Sequence, residues 1–268
     1  MNSPTSPTAR QLPAGPCIRH AINSVQSNIA YAFRISWPWY AVVFAINLVV
    51  GLASDSLVGD PMTNPGGSFA LQLIVLAANL VSFASIAVNW HRYILLDQVP
   101  AGGEILRLDG LTWRYLGNLV LIWLMVFVSL LICMFLLRLL AGLSTLTAIV
   151  AFFLGLAAIL TAVISFYRLS VKLPAIAIGR RDFSLGHAWA ATEGNWQPFL
   201  LIVLFMFLLV LAVLLAAGTV FYALVSLNAT IGVVIGVVVL TILTWLLSIF
   251  GITLLTSFYG FFVEGRDF

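Results

Sequence analysis

The sequence predicts an all-α protein that crosses a membrane several times. Of its 268 residues, 62% are hydrophobic and 8% are charged, whereas soluble chains average about 45–50% apolar and about 25% charged residues. The mean hydropathy is +1.12. The apolar runs are continuous, unlike the alternating segments of a transmembrane β-barrel. Because backbone polar groups in lipid must pair within the protein, such runs indicate helices.

Six segments are long enough to cross a bilayer, for which a helix needs about 20 mostly apolar residues. Very short connections predict that the third span pairs with the fourth, and the fifth with the sixth, as antiparallel hairpins. The segment Ser54–Ser68 is rich in Gly, Pro, Asn and Asp and predicts a turn-forming loop between the first two spans. The predicted spans are Trp39–Leu57, Phe69–Trp90, Leu116–Leu140, Thr145–Tyr167, Pro198–Val225 and Ile231–Phe262. The expected architecture is therefore six transmembrane helices arranged as three hairpins.

The N-terminal region precedes these spans. Residues 1–17 are rich in Pro and Ser and lack the apolar core of a signal peptide, so we expect a disordered cytoplasmic segment. Residues 18–36 carry apolar side chains at helical spacing with a polar opposite face, which predicts an amphipathic helix lying in the membrane surface. Residues 37–268 form the predicted transmembrane domain. A further short helix is predicted after Ser184, which is placed as its N-cap.

The basic residues predict the orientation. With a cytoplasmic N-terminus, eleven of the 12 Lys and Arg residues fall on the cytoplasmic side, and Arg138 alone falls on the other. Because cytoplasmic loops carry an excess of Lys and Arg, both termini are predicted to be cytoplasmic. Arg138 lies near the end of its span and can extend to water. The predicted location is a bacterial inner membrane.

Tryptophan supports this orientation, because indoles favour the headgroup region. Six of the eight tryptophans fall at predicted cytoplasmic ends of spans, namely Trp37, Trp39, Trp90, Trp113, Trp189 and Trp196. Together with the bases, these rings suggest a basic and aromatic collar that contacts anionic lipid headgroups or a protein partner. The predicted contact residues are Arg92, Arg107, Arg114, Arg168, Lys172, Arg180, Arg181, Trp189 and Trp196. For the bases, setting the topology alone is the competing interpretation.

A resemblance is carried by the cytoplasmic segments. The pattern R-x-S-x-x-L-P-A-x-A-x-G is followed by S-L-x-x-A-W-x-x-T-x-G-N-W, and WHRYILLD precedes both. The chain resembles bacterial multi-pass inner-membrane proteins of the YciC-like group and the membrane domain joined to some glycerophosphoryl diester phosphodiesterases. The matching residues are Arg168, Ser170, Leu173, Pro174, Ala175, Ala177, Gly179, Ser184, Leu185, Ala188, Trp189, Thr192, Gly194, Asn195 and Trp196. The resemblance implies an inner-membrane protein and brings no catalytic residues with it.

Polar groups inside the spans are few and neutral. Proton- or ion-coupled transport commonly leaves an ionisable side chain near the middle of the membrane, and none is expected here. Asn47, Gln72 and Asn79 are predicted to form hydrogen bonds between the first two spans, and with Ser129 they could line a polar path. The spacing of Gly232 and Gly236 predicts close packing of helices within the bundle.

Three classes of function stay open on these observations. The first is a non-catalytic membrane protein that engages lipid headgroups or a protein partner. The second is a permease for a small or lipidic molecule along the polar path, and the third is a membrane-embedded enzyme that uses His20, His91, His187 and nearby acids. No pair of histidines has ligand spacing, so no metal, cofactor or catalytic residue is predicted. No nucleic-acid partner is predicted either.

Overall fold

The structure is a computed structural model that describes residues 10–53, 65–227 and 229–268. Of the residues in these ranges, 86% are helical, and no strand occurs among them. The long helices are α2 (Ile29–Ala53), α3 (Pro65–Leu96), α4 (Gly110–Ala141), α5 (Thr145–Ser170), α8 (Trp196–Leu227) and α9 (Ala229–Phe262). The short helices are α1 (Ala14–Ser27), α6 (Lys172–Ala177) and α7 (Leu185–Ala191), and a 3₁₀ helix covers Gly102–Leu106.

Six helical stretches in the described part of the chain are long and apolar enough to cross a membrane. They are Ile29–Val50, Phe69–Leu96, Glu104–Ala141, Thr145–Ala177, Trp196–Ser226 and Ile235–Phe262. This confirms the prediction of an all-α protein with six spans. The first two spans extend further toward the predicted cytoplasmic side than the sequence suggested. Most of the predicted loop between them, residues 54–64, lies outside the described ranges.

The described chain divides into two compact units. One unit contains the N-terminal segment up to Ser24 together with Leu121–Lys172 and Ser184–Phe268. The other contains Val25–Val120 and Leu173–Phe183. Each candidate site described below lies within one of these units.

The predicted helical hairpins are present. In the second unit, the indole nitrogen of Trp39 on α2 donates to the hydroxyl of Ser85 on α3 at 2.8 Å. In the first unit, Met134 of α4 packs against Gly155 of α5. The rings of Phe205 on α8 and Phe250 on α9 lie 6.2 Å apart. The two spans of each predicted hairpin therefore contact each other.

Two glycines of α9, Gly232 and Gly236, lie close against α8. A Cβ atom built at Gly232 would lie 2.5 Å from backbone atoms of Leu224 and Val225 on α8. One turn further on, a Cβ atom at Gly236 would overlap the ring of Phe221. Small residues in transmembrane helices allow this close approach of two backbones. The prediction that these glycines serve packing inside the bundle is confirmed.

Polar side chains begin several helices. The Oδ1 atom of Asp109 accepts hydrogen bonds from the backbone N–H groups of Leu111 and Thr112, at 3.0 and 3.1 Å, and so caps α4. Ser144 caps α5 by accepting from the N–H of Thr147 at 3.2 Å. Ser184 caps α7 in the same way, as predicted. Each cap satisfies a backbone donor that the first turn leaves without a helical partner.

Pro174 explains how the fourth span ends. Proline lacks an N–H and its ring clashes with the carbonyl four residues before it, which here belongs to Ser170. Helix α5 accordingly ends at Ser170, and α6 begins at Lys172 with Pro174 in its first turn. Residues 173–177, which include Pro174, are buried within the protein.

The predicted N-terminal domains differ from the observed helices. Residues 1–9 lie outside the described part of the chain, but residues 10–17 are ordered, with Leu12 and Cys17 buried and α1 beginning at Ala14. The expected amphipathic helix over 18–36 is divided at Asn28, between α1 and α2. Composition does not predict the structure of residues 10–17, because the backbone of residues 10 and 12 bonds to Asn195, which is far away in the sequence.

Candidate functional site

A buried polar cluster lies where the second span ends, and we call Asn89, Glu104, Ile105 and Arg107 the Asn89 cluster. Asn89 is only 1% exposed. Its amide nitrogen donates to the carbonyl oxygens of Glu104 and Ile105, each at 3.1 Å. Its amide oxygen accepts from Nε of Arg107 at 3.0 Å. A buried amide must satisfy its donors and acceptor, and this one does so by holding the 3₁₀ helix against α3.

Arg107 is committed to partners in its own unit. Its side chain is 11% exposed. Nη1 lies 2.8 Å from Oδ2 of Asp109, and Nη2 lies 3.8 Å from Oε2 of Glu104. The guanidinium thus joins the Asn89 cluster to the residue that caps α4. This predicted collar residue has a clear structural role beside any contact with lipid.

Two tyrosines hold the start of α2 against the end of α3. The rings of Tyr31 and Tyr93 stack with their centroids 3.8 Å apart. The Tyr93 hydroxyl donates to Oδ1 of Asn28 at 2.8 Å, and the Tyr31 hydroxyl donates to the backbone oxygen of Asn89 at 3.3 Å. This contact stabilises the chain at the turn between α1 and α2.

The residues Trp90, His91 and Arg92 follow Asn89 directly. Arg92 donates from Nη1 to the carbonyl oxygen of Ala177 at 2.9 Å, which fastens the end of α6. His91 is fully buried, with Nε2 lying 3.2 Å from the Tyr115 hydroxyl. Trp90 is also fully buried. Trp39 is buried as well, so both indoles pack inside the protein and neither is available to lipid headgroups.

A second site, the Arg168 cluster, consists of Arg168, Trp189 and Thr192 in the first unit. The guanidinium donates from Nε to the Thr192 hydroxyl and from Nη2 to the carbonyl oxygen of Trp189, each at 2.9 Å. Its central carbon lies 3.7 Å from the centroid of the Trp189 ring, which places a cation over the π face. The cluster fixes α7 beside the last turn of α5. Trp189 remains 44% exposed.

Asn195 forms a third polar contact, which joins distant parts of the first unit. Its amide nitrogen donates to the carbonyl oxygen of Arg10 at 3.0 Å, and its amide oxygen accepts from the N–H of Leu12 at 2.7 Å. The Arg10 guanidinium donates to the carbonyl oxygen of Phe261 at 2.8 Å and forms an ion pair with Asp267. The N-terminal and C-terminal segments are thereby held at the same end of this unit.

Burial near this contact changes the chemistry of Cys17. The side chain is fully buried, and removal from water raises the pKa of the thiol to about 12. A thiol with so high a pKa stays protonated and unreactive at neutral pH. His20, one helical turn further along α1, contacts the ring of Phe268 at 5.2 Å between centroids. Partial burial lowers its pKa below the ordinary value.

The remaining predicted collar residues have different surroundings. Arg180 pairs with Asp182 at 2.7 Å, and Lys172 is half-buried. Arg181 is exposed and Arg114 is half-buried. Within the described ranges, neither of the latter two has a carboxylate within 4.0 Å. Trp196 is 57% exposed.

The predicted polar path is not supported as it was drawn. Asn47 donates to the carbonyl oxygen of Val43, and Asn79 to that of Val75, each at 2.8 Å within its own helix. The predicted hydrogen bonds between spans are therefore wrong for these two amides. An exposed amide in an apolar helix can satisfy its donor on the carbonyl four residues earlier. Gln72 and Ser129 are exposed as well.

Metal-ligating side chains are dispersed in the part of the chain that the structure describes. No group of three His, Cys, Asp or Glu residues there could hold a metal ion. His187 is exposed, and its Nδ1 accepts from the backbone N–H of Ser184 at 3.2 Å at the start of α7.

The fold defines the class as an all-α, multi-pass integral membrane protein. A scan against protein-family models finds no match. Searches of curated proteins and of solved structures likewise find no similar protein. The relation to the YciC-like group therefore stays a prediction, and the site has to be interpreted from its own geometry.

Asn89 and Asn195 are the site residues that sequence reasoning did not assign to contacts. Both are buried, and each amide holds the backbone of a distant segment. The sequence does contain a signal, because Asn directly precedes Trp at both places, in VNWHRY and in GNWQPF. An amide beside a tryptophan, at one end of an apolar run, suggests a side chain that organises a loop.

Proposed function

We propose that this protein is a non-catalytic protein of a bacterial inner membrane that binds anionic lipid headgroups with basic and aromatic residues at the cytoplasmic ends of its spans. The fold of a multi-pass membrane protein supports the location in a membrane. The distribution of Lys and Arg supports the orientation. Both termini lie in the cytoplasm. The alternative is that the same surface binds a protein partner.

One observation carries the proposal. Four arginines, namely Arg19, Arg34, Arg114 and Arg181, have no carboxylate within 4.0 Å in the described part of the chain. All four belong to the predicted cytoplasmic side, and Arg19, Arg34 and Arg181 are exposed. A cation near an anionic leaflet gains about 1 kcal/mol. These residues keep their charge available for phosphates, whereas Arg107 and Arg180 pair with acids of the protein.

Exposed indoles accompany two of these arginines. Trp37 is 53% exposed and stands three residues after Arg34, on the same face of α2. Trp113 is 52% exposed and directly precedes Arg114. A ring at headgroup level beside a cation is the arrangement found at membrane interfaces. The proposal therefore places Arg34 and Arg114 among the phosphates.

The test changes Arg114 and Arg181 together and uses Arg180, the neighbour of Arg181, as the control. Arg181→Gln, combined with Arg114→Gln, should at least halve the phosphatidylglycerol that co-purifies with the protein from mixed phosphatidylglycerol and phosphatidylcholine vesicles. Arg180→Gln, the matched control, should have a smaller effect because Asp182 already compensates its charge. Lipid is quantified by mass spectrometry after gel filtration.

Equal lipid content in the double variant and the unaltered protein would contradict the proposal. These bases would then serve only to set the topology. If phosphatidylglycerol stays bound but a co-purifying protein is lost, the surface serves a protein partner instead. Reporter fusions on the same variants show whether the orientation is maintained.

A further inference from the structure

A fissure separates α4 from α5 over part of their length. Its volume is about 360 Å³, and an adjoining space of about 270 Å³ shares three of its lining residues. All of the lining residues belong to the first unit. On α5 the fissure extends from Ala158 to Leu169, with Ala162 between them. The alanines leave room that larger side chains would fill.

The length of the fissure matches one leaflet of a bilayer. A helix rises 1.5 Å per residue, so Ala158 and Leu169 are separated by about 16 Å along α5. Half of a hydrocarbon core of about 30 Å is nearly the same length. Beyond Ala158 the side chain of Met134 lies across the space between the two helices, with 3.6 Å between its methyl carbon and a Cβ built at Gly155. The fissure therefore covers the half of α5 that ends near Leu169.

Two of the three hydroxyl groups along the fissure are satisfied within their own helices, and the third belongs to Ser165. Ser129 donates to the carbonyl oxygen of Met125, and Thr161 to that of Ala157, each at 2.8 Å. Both bonds lie within the residues' own helices, so neither hydroxyl hydrogen is directed at the fissure. A path for water or ions would need such groups to be available. The lining suits hydrocarbon.

We propose that this fissure binds one acyl chain of a phospholipid from the leaflet at the Arg168 end of α5. A helix of a second copy would need a groove open across both leaflets, and the side chain of Met134 bounds this one beyond Ala158. The positive charge of Arg168, which directly precedes Leu169, lies at the end where a lipid phosphate stands. The inference deepens the proposed function and rests on it for the preference for an anionic headgroup.

The experiment uses variants in which a larger side chain fills the fissure. Full-length protein is incorporated in nanodiscs of phosphatidylglycerol or of phosphatidylcholine, released into mild detergent, and examined by native mass spectrometry. Ala162→Phe should lose one tightly bound phospholipid per chain relative to the unaltered protein. Ala157→Phe, an equal change at an exposed position of the same helix outside the lining, should keep it. Ser165→Leu narrows the same fissure and serves if Ala162→Phe does not fold.

The outcomes separate this inference from the proposed function. If both fissure variants retain as much lipid as the unaltered protein, or if Ala157→Phe loses as much as they do, the acyl-chain site is refuted. A loss of dimers without a loss of lipid would assign the fissure to a second copy and refute it too. If one lipid is retained equally from both nanodisc types and only the fissure variants lose it, the acyl-chain site stands and the anionic preference fails.

Discussion

At the scale of single residues, two buried asparagines organise the ends of the spans. An asparagine amide offers two donors and an acceptor on a short, stiff side chain. Asn89 uses them on two carbonyl oxygens and on Arg107, and Asn195 uses them on residues 10 and 12. In each case a segment outside the α-helices obtains hydrogen-bond partners for its backbone from a side chain that is distant in the sequence. The positions of Arg107 and Arg10 follow from these amides.

Replacing Asn89 by Ala should lower the free energy of unfolding by about 2–3 kcal/mol, because buried partners lose their hydrogen bonds without gaining water. Asn79→Ala is the matched control on the same helix. Its amide is exposed and bonded to its own helix, so the change should stay within about 0.5 kcal/mol. Denaturation in mixed micelles with increasing dodecyl sulfate, followed by circular dichroism, measures both. Similar losses in the two variants would contradict a special role for Asn89.

At the scale of helices, backbone proximity decides how the last two spans pack. Gly232 stands against the backbone of α8, whereas Gly236 stands against the ring of Phe221. A backbone cannot move aside locally, but an aromatic ring can rotate. The two glycines belong to one sequence motif, but they should tolerate an added methyl group differently.

Gly232→Ala should therefore destabilise the protein by about 1–3 kcal/mol, as expected for overpacking, and Gly236→Ala by less. Gly218→Ala on α8 is the control, since no atom of another residue lies within 4 Å of its added Cβ. That change should be neutral or slightly stabilising because alanine favours helix more than glycine does. Thermal unfolding in detergent ranks the three variants. A control as unstable as Gly232→Ala would overturn the packing argument.

At the scale of the whole molecule, the ends of the chain bear on its topology. Arg10 bonds to the carbonyl oxygen of Phe261 and pairs with Asp267. Segments in direct contact must lie on the same side of a membrane, which agrees with an even number of spans. The structure has six helical stretches suited to crossing in its described residues. The excess of Lys and Arg predicts that this side is the cytoplasm.

Reporter enzymes that are active only outside the cytoplasm test this arrangement. Fusions at Gly179 and at Phe268 should be inactive, and a fusion at Pro65 should be active, because only the last lies on the far side of the first hairpin. Activity at Phe268 would exclude six spans with both ends inside. Expression of each fusion is checked by immunoblot, so that a missing signal reflects location.

Much of the architecture follows from the sequence alone. Length and hydrophobicity of a run determine whether a helix crosses a membrane, and both are local properties of the chain. The six spans, the caps of α7 and the glycine contact of the last hairpin were therefore predictable. The burial of Trp39 and Trp90 was not, since an indole at the end of an apolar run can face either headgroups or protein.

Only the tertiary structure decided which polar groups meet. The bases of the predicted collar look alike in the sequence, yet Arg107 bonds to Asn89 and Arg92 to Ala177, whereas Arg181 is exposed. The ordered residues 10–17, the division of the N-terminal helix at Asn28 and the burial of residues 173–177 are of the same kind. Each depends on hydrogen bonds or packing with residues distant in the sequence, and periodicity and composition report only on neighbours along the chain.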